Sequence, residues 1–326
     1  MKPISIKILA ACIGFAVAIA AVFAYNNFFG APQKQGDLER FVVQKNATRS
    51  AIIETLKTQG FIKNTGGFSF ALSRKNTGEI PAGAYKISKA MNAWQTTNVF
   101  AGKPYMKWIT IPEGFRKEEI ADLLAKELGW TSEEKEIWLT KDTAEEADYT
   151  EGVYFPDTYL IPVDEPTAEV AKRLRAKFEE TFAPYAKEAL KQNIRWPTLI
   201  RVASLIQREA AGKDDMPLIA GVIWNRLLKE MKLDIDATIQ YIKGDEKDGW
   251  WPKIKPEDKM IDSPYNTYKY KGLPPRPIAN PGIKAIEAAL RPEKTKCFYY
   301  LHDKSKTIHC AETFEGHKAN IEKYLR

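Results

Sequence analysis

Apolar and polar positions follow three patterns along this chain, and each pattern names a kind of element. From Ile8 to Tyr25, eighteen residues pass without a charge. Farther on, apolar residues recur three and four positions apart, as they do on one face of a helix. Thr167 to Phe182 places Val170, Leu174, Phe178 and Phe182 on one side. Pro197 opens a second helix carrying Leu199, Val202, Ala203, Ile206 and Ala210, and Gly212 follows where a C-terminal cap would sit. Asp214-Asp215-Met216-Pro217 is an acidic cap with proline in the first turn, leading into Ile219, Val222, Ile223 and Leu227. Ile283 to Leu290 is a short helix, Phe298 to Leu301 and Thr307 to Ala311 form a hairpin around Asp303-Lys304-Ser305, and Glu312 to Tyr324 closes the chain as a helix.

Two short segments share a spacing. Val43, Ile52, Ile53 and Leu56 match Ile111, Ile120, Ala121 and Leu124, each set running from a strand through a polar turn into an amphipathic helix that ends near a glycine (Gly60, Gly129). Two copies of a βα unit and two unrelated helices with ordinary core spacing fit this match equally well. Between Asp262 and Gly282 the prolines exclude a helix or a central strand, so this stretch is a loop with a preset shape. Long ordered loops of that kind often carry function.

Glu209 breaks the pattern of its own helix. At about 100° per residue it falls between Val202, Leu205 and Ile206, on the apolar stripe and close to the helix end. A carboxyl half-sunk in apolar surroundings has its pKa raised, because desolvation penalises the charged form. Such a group arrives protonated and can donate a proton. The competing reading is a stripe-edge glutamate paired with an arginine. Asn225 also lies near an apolar edge, where an amide needs partners as a core tie or as a contact to a bound molecule.

Composition narrows the setting. Hydrophobic residues make up 44% and charged residues 28%, so most of the 326 residues are globular. The net charge of +7 is scattered rather than blocked, which disfavours a nucleic-acid arm and suits work beside an anionic polymer or lipid. The uncharged run at Ile8–Tyr25 exceeds the signal-peptide core of about 7–15 residues and approaches the roughly 20 of a spanning helix. It is read as an uncleaved anchor, with Lys2 and Lys7 holding the N-terminus in the cytoplasm. His302, His309 and His317 lie with Cys297 and Cys310 in the last thirty residues, but no zinc spacing is present and no metal is expected. Whether those cysteines bridge depends on the hairpin register.

Several blocks, in order, resemble one family. They are Ile111-Pro112-Glu113-Gly114, Glu151-Gly152-Val153-Tyr154-Phe155-Pro156-Asp157-Thr158-Tyr159, Ala203-Ser204-Leu205-Ile206-Gln207-Arg208-Glu209, Asn225-Arg226-Leu227, Asp236-Ala237-Thr238, Ser263-Pro264-Tyr265-Asn266-Thr267-Tyr268 and Gly272-Leu273-Pro274-Pro275. Together they resemble the endolytic murein transglycosylases of the MltG (YceG-like) family across the whole chain. The resemblance implies a single-pass protein of the bacterial inner membrane with its catalytic part in the periplasm. It implies a LysM-like region and an activity that cuts nascent peptidoglycan strands internally, leaving 1,6-anhydro-N-acetylmuramyl ends. Implied partners are glycan strands and the peptidoglycan synthases; no cofactor and no nucleic acid are expected.

The family's catalytic glutamate matches Glu209. Gln207 and Arg208 stand where glutamate and lysine are expected, and Arg276 where a small residue is expected. Candidate substrate-binding residues are Asn225, Asp236, Thr238, Tyr265, Asn266 and Thr267. The expected fold is α+β: a tail at 1–7, an anchor at 8–25, a linker at 26–37, a βα module at 38–108, a LysM-like region at 109–162 and a mixed α/β catalytic domain at 163–326. Two other functions fit the same residues. One is a hydrolytic glycosidase with Asp236 or Asp262 as second carboxylate. The other is a non-catalytic wall-binding protein in which Glu209 is only a salt-bridge partner.

Overall fold

The computed structural model describes residues 6–75, 78–144 and 150–326. The chain is mixed α/β and divides into two compact units, Met1–Ile109 with Tyr159–Asp164, and Thr110–Thr158 with Glu165–Arg326.

The first unit begins with α1 (Ile6–Phe29), which contains a 20-residue stretch, Ala10–Phe29, long and apolar enough to cross a membrane. Along most of its length the large side chains have no protein cover, Phe15, Val22 and Phe23 all being exposed, while Phe29 at its end stacks on Trp94. A helix that is apolar all round and bare suits lipid rather than water. β1 (Glu39–Val43) pairs antiparallel with β2 (Gly83–Ile87), in a register that sets Glu39 opposite Ile87 and Val43 opposite Gly83. Between them lie α2 (Arg49–Thr58) and α3 (Thr65–Arg74), whose first amides are taken by the side chains of Thr48 and Asn64. α4 (Ala93–Phe100) follows, then β3 (Met106–Thr110); β4 (Thr158–Pro162) completes the sheet in the order β1-β2-β3-β4. Phe41 packs edge-on against Phe61 and Phe100 at 5.8 Å each, over Ile52, Ile53, Leu56, Phe68 and Leu72.

In the second unit α8 (Trp196–Glu209) is the hub. It packs against α7 (Thr167–Lys191), α9 (Met216–Leu228), α10 (Asp236–Lys243) and α11 (Ile283–Leu290). Leu199, Val202, Ala203 and Ile206 are fully buried, as the helical spacing predicts, and so are Ile200 and Leu205, whereas Ala210, the last residue of that spacing, lies past the helix end and is half-buried. The unit also holds α5 (Lys117–Leu128), α6 (Ser132–Ile137) with a π-helical turn after it, a hairpin of β5 (Tyr299–His302) and β6 (Ile308–Ala311), and α12 (Phe314–Tyr324). The hairpin register sets Tyr300 opposite Cys310, and Cys297 and Cys310 form a disulfide across it.

Two expectations are corrected. α7 does not stop at Phe182 but runs through Pro184 to Lys191. α8 ends at Glu209 rather than reaching Gly212: Ala210 is already extended, and the Asp215 carboxylate accepts from the amides of Ala211 (2.9 Å) and Gly212 (3.3 Å), turning the chain aside. Asp215 is thereby occupied and makes no side-chain cap on α9. Thr110–Thr158 falls in the same compact unit as the C-terminal part. The cause is a buried polar knot. Asn280 donates to Glu151 Oε1 (2.7 Å) and Phe115 O (3.0 Å), and its Oδ1 accepts from the Tyr154 amide (2.8 Å). The amides of Gly114 and Asn280 add bonds to Asn280 O and Phe115 O.

Gly152 sits in that knot at φ +83°, and a Cβ there would meet Ile200 and Pro277 at 2.8 Å. Gly152→Ala is therefore strained in its backbone and crowded in its surroundings. It should lower stability by about 1–3 kcal/mol, a drop of several degrees in a thermal melt. An unchanged melting temperature would show that the 150–155 loop yields without cost.

Candidate active site

Glu209 is the last residue of α8, so the buried helix delivers its carboxyl to the point where the backbone turns away. The residue is half-buried and lines an open cleft of about 780 Å³. The hydroxyl of Tyr300, on β5, donates to Glu209 Oε2 at 2.7 Å. Burial pushes the Glu209 pKa up. The Tyr300 hydrogen bond opposes that, the negative charge of Asp236 adds to it, and the Ala237 amide and His302 oppose it. The outcome is a carboxyl that keeps its proton above the ordinary range, as the sequence position on the apolar stripe predicts. The stripe-edge alternative, an ion pair with arginine, has no counterpart among the described residues: the adjacent Arg208 turns elsewhere.

Arg208 lays its guanidinium over the Trp251 ring at 3.7 Å and reaches Gly114 O at 3.4 Å. Trp251 in turn donates to Glu119 Oε2 at 2.8 Å. Gln207 accepts from the Gly282 amide at 3.0 Å, where α11 begins. Both departures from the expected family residues thus have structural partners at the last turn of α8. Arg276, the third, is exposed and donates to Thr150 Oγ1 at 2.9 Å.

Of the other residues singled out in the sequence, Asp236 shares the cleft with Glu209. Tyr268 donates a short hydrogen bond to its Oδ1, and Lys259 Nζ lies 3.4 Å away. The remaining candidates do not line this cleft. Asn225 is a tie, donating to Thr295 O (2.9 Å) and Cys297 O (3.0 Å). Thr238 and Thr267 are buried and share a 3.0 Å hydrogen bond, while Thr267 Oγ1 also accepts from the Ile235 amide. Asn266 is fully buried; it donates to Lys259 O and Ile261 O and accepts from the Tyr268 amide. Tyr265 packs against Tyr241, ring centres 5.0 Å apart. Thr238, Thr267 and Asn266 hold the 259–270 loop, from which Tyr268 and Lys259 reach Asp236. Their polar atoms are spent on the backbone, which is why residue type alone suggested direct contacts.

The sequence reading also misses most of the cleft's far wall: Arg226, Tyr299, Tyr300, Phe314 and His317. Tyr300 stands 91 residues from Glu209 and only the fold brings them together. Of the histidines, His302 pairs with Asp215 at 2.7 Å, His309 pairs with Asp303 at 2.9 Å, and His317 stacks on Tyr299.

Comparison with known proteins identifies the family. The YceG-like family matches residues 41–323. An endolytic murein transglycosylase of Bacillus subtilis (strain 168) is 31% identical over 309 residues, covering 87% of this chain and 84% of that protein. One from Streptococcus pneumoniae serotype 2 is 28% identical over 307 residues; this chain spans 55% of that longer relative. A crystal structure of a YceG-like protein from Listeria monocytogenes superimposes with a TM-score of 0.60 at 29% identity, covering 87% of this chain and 99% of that one. Across nearly its whole length, from β1 to α12, the chain belongs to the YceG-like family.

Proposed function

We propose that this protein is a membrane-anchored endolytic murein transglycosylase in which Glu209 is the single acid and base. The observation that carries the reading is a half-buried carboxyl, its pKa raised by burial, at the wall of an open cleft large enough for sugar rings. The names of the similar proteins in Bacillus subtilis and Streptococcus pneumoniae support it.

In this reading Glu209 gives its proton to the glycosidic oxygen between N-acetylmuramic acid and N-acetylglucosamine as the bond to C1 breaks. The resulting carboxylate then takes the proton of the muramic C6 hydroxyl, whose oxygen closes on C1. Water is not consumed, so the reaction needs no second carboxylate to activate it. Proton transfer of this kind contributes roughly 10²–10⁴-fold. The rest comes from holding the ring and stabilising positive charge at C1. Asp236, fixed by Tyr268 and Lys259, is the charged group placed for that second task. Its presence in the cleft also favours one alternative, a hydrolytic glycosidase with Asp236 as the second carboxylate.

The apolar α1 supports an anchor in the bacterial inner membrane, and the Cys297–Cys310 disulfide supports a periplasmic location for the second unit, because such bonds persist in oxidising compartments. Glycan strands, and the synthases that extend them, are the partners this placement implies. The LysM-like part is better sought in residues 39–87 than in 109–162, since β1, α2, α3 and β2 follow one another around a single core.

Three measurements test these statements. Glu209→Gln should cut strand cleavage by roughly 10²-fold or more while substrate binding survives. A glutamate whose folded pKa is raised contributes stability that is full below its unfolded pKa of about 4.3 and is lost as pH rises through the folded value. At neutral pH the Gln variant is free of that loss, so its melting temperature should be level or slightly higher. A destabilised but active Glu209→Gln protein would remove Glu209 from the mechanism. Mass analysis of product ends separates the two reactions, because an anhydro end is one water lighter than a reducing end.

Tyr300→Phe deletes a hydrogen bond that favours the carboxylate form. The Glu209 pKa should rise further, moving the alkaline limb of kcat/KM up by about one pH unit. A limb that stays put would show that Tyr300 does not bias the acid. Finally, the protein should remain in the membrane pellet after an alkaline carbonate wash, whereas a soluble species beginning near Tyr25 would reveal a cleaved leader.

A further inference from the structure

The cleft has one wall that the proton chemistry leaves without a role. Tyr299, Phe314 and His317 all line it with Glu209. Phe314, the first residue of α12, is 48% exposed. Other large apolar side chains of this unit are exposed, among them Leu190, Leu228 and Met260, but among the described residues only Phe314 of that set faces the cleft. Single exposed apolar groups are ordinary. In this cleft, however, the exposed ring joins Tyr268, Tyr299, Tyr300 and His317 as an aromatic lining set among the charged Arg208, Asp234, Asp236 and Lys259.

The ring is backed by a rigid stack. Tyr299 lies 5.8 Å from Phe314, its ring is 5.4 Å from His317 at an interplanar angle of 24°, and the Arg226 guanidinium stands 5.0 Å from it. Arg226 is itself pinned by Phe298 O, Lys232 O, Leu233 O and Asp234. The base of the hairpin is closed by the Cys297–Cys310 disulfide. A platform so braced loses little freedom when something lies on it. One turn along α12, the exposed Lys318 ammonium lies over the Phe314 ring, 4.6 Å from its centre, and has no acidic partner among the described residues.

An aromatic ring that carries an unneutralised cation matches a sugar that has an apolar C–H face and a carboxylate substituent. In a peptidoglycan strand the sugar of that description is N-acetylmuramic acid, through its lactyl group; N-acetylglucosamine carries no carboxylate. We propose that Phe314 and Lys318 form a subsite for a muramic acid residue of the strand, Phe314 stacking on the pyranose face and Lys318 meeting the lactyl carboxylate. This rests on the glycan-cleaving reading of the same cleft and adds the identity of the sugar on this side of it.

The test uses the full chain in detergent carrying Glu209→Gln, so that ligand is bound and not cut. Two probes are compared by calorimetry: a peptide-free tetrasaccharide of alternating N-acetylglucosamine and N-acetylmuramic acid, and chitotetraose, which lacks the carboxylate. The Glu209→Gln protein should prefer the murein tetrasaccharide. Adding Phe314→Ala should weaken its binding about tenfold, with Phe314→Tyr restoring most of the loss and neither changing the melting temperature. Adding Lys318→Gln should erase most of the preference over chitotetraose while leaving chitotetraose affinity unchanged. Undiminished binding by the Phe314→Ala protein overturns the stacking role, and an intact preference in the Lys318→Gln protein overturns the carboxylate role. If the Glu209→Gln protein binds neither probe, the glycan reading falls and the subsite with it.

Discussion

A proton-donating carboxyl must be dry enough to hold its proton and open enough to hand it over, and the second unit is arranged around that conflict. α8 resolves it by position. Its apolar face is enclosed by α7, α9, α10 and α11, and its final residue is Glu209. Leu199, Ile200, Val202, Leu205 and Ile206 anchor the helix, each worth roughly 1.5–3 kcal/mol relative to exposure. Against such an anchor, the cost of desolvating one carboxyl is tolerable. The Tyr300 hydroxyl offsets part of it and fixes the direction of Oε2.

The support for this end of α8 comes from far along the chain. Gln207 holds the start of α11, Arg208 lies on Trp251, and Asp215 collects the two amides after the helix and pairs with His302 on the hairpin. A residue that opens α9 in the sequence is thus spent on closing α8 and steadying β5. This second set of bonds explains why α8 stops where it does, which helix propensity alone does not decide: alanine at 210 and 211 would extend a helix readily.

Much of the fold is legible because local pattern and packing agree. The inward residues of α7 and α8, the span Ile283–Leu290 and the hairpin at the C-terminus follow from spacing alone, and Glu209 is conspicuous as a charge on an apolar stripe. What spacing does not carry is the destination of polar side chains. Asn266 and Thr267 lie in a loop whose composition suits sugar hydroxyls, yet their atoms are used within the loop. Tyr299, Tyr300 and Phe314 read as ordinary hairpin and cap residues until the chain folds back. The grouping of Thr110–Thr158 with the C-terminal part is hidden for a similar reason, since Asn280, the partner of Tyr154, is more than a hundred positions away.

The route of the chain through the two units has a further consequence. The backbone leaves the first unit after Ile109, returns for Tyr159–Asp164 and leaves again. No single cut therefore separates them. A fragment starting at Glu165 would keep Glu209 but lose α5 and the Glu151 side of the buried knot; one ending at Ile109 would lose β4 from its sheet. The two units are interlaced in sequence, so neither can be trimmed, transplanted or duplicated as a simple cassette, and inheritance would have to move them together.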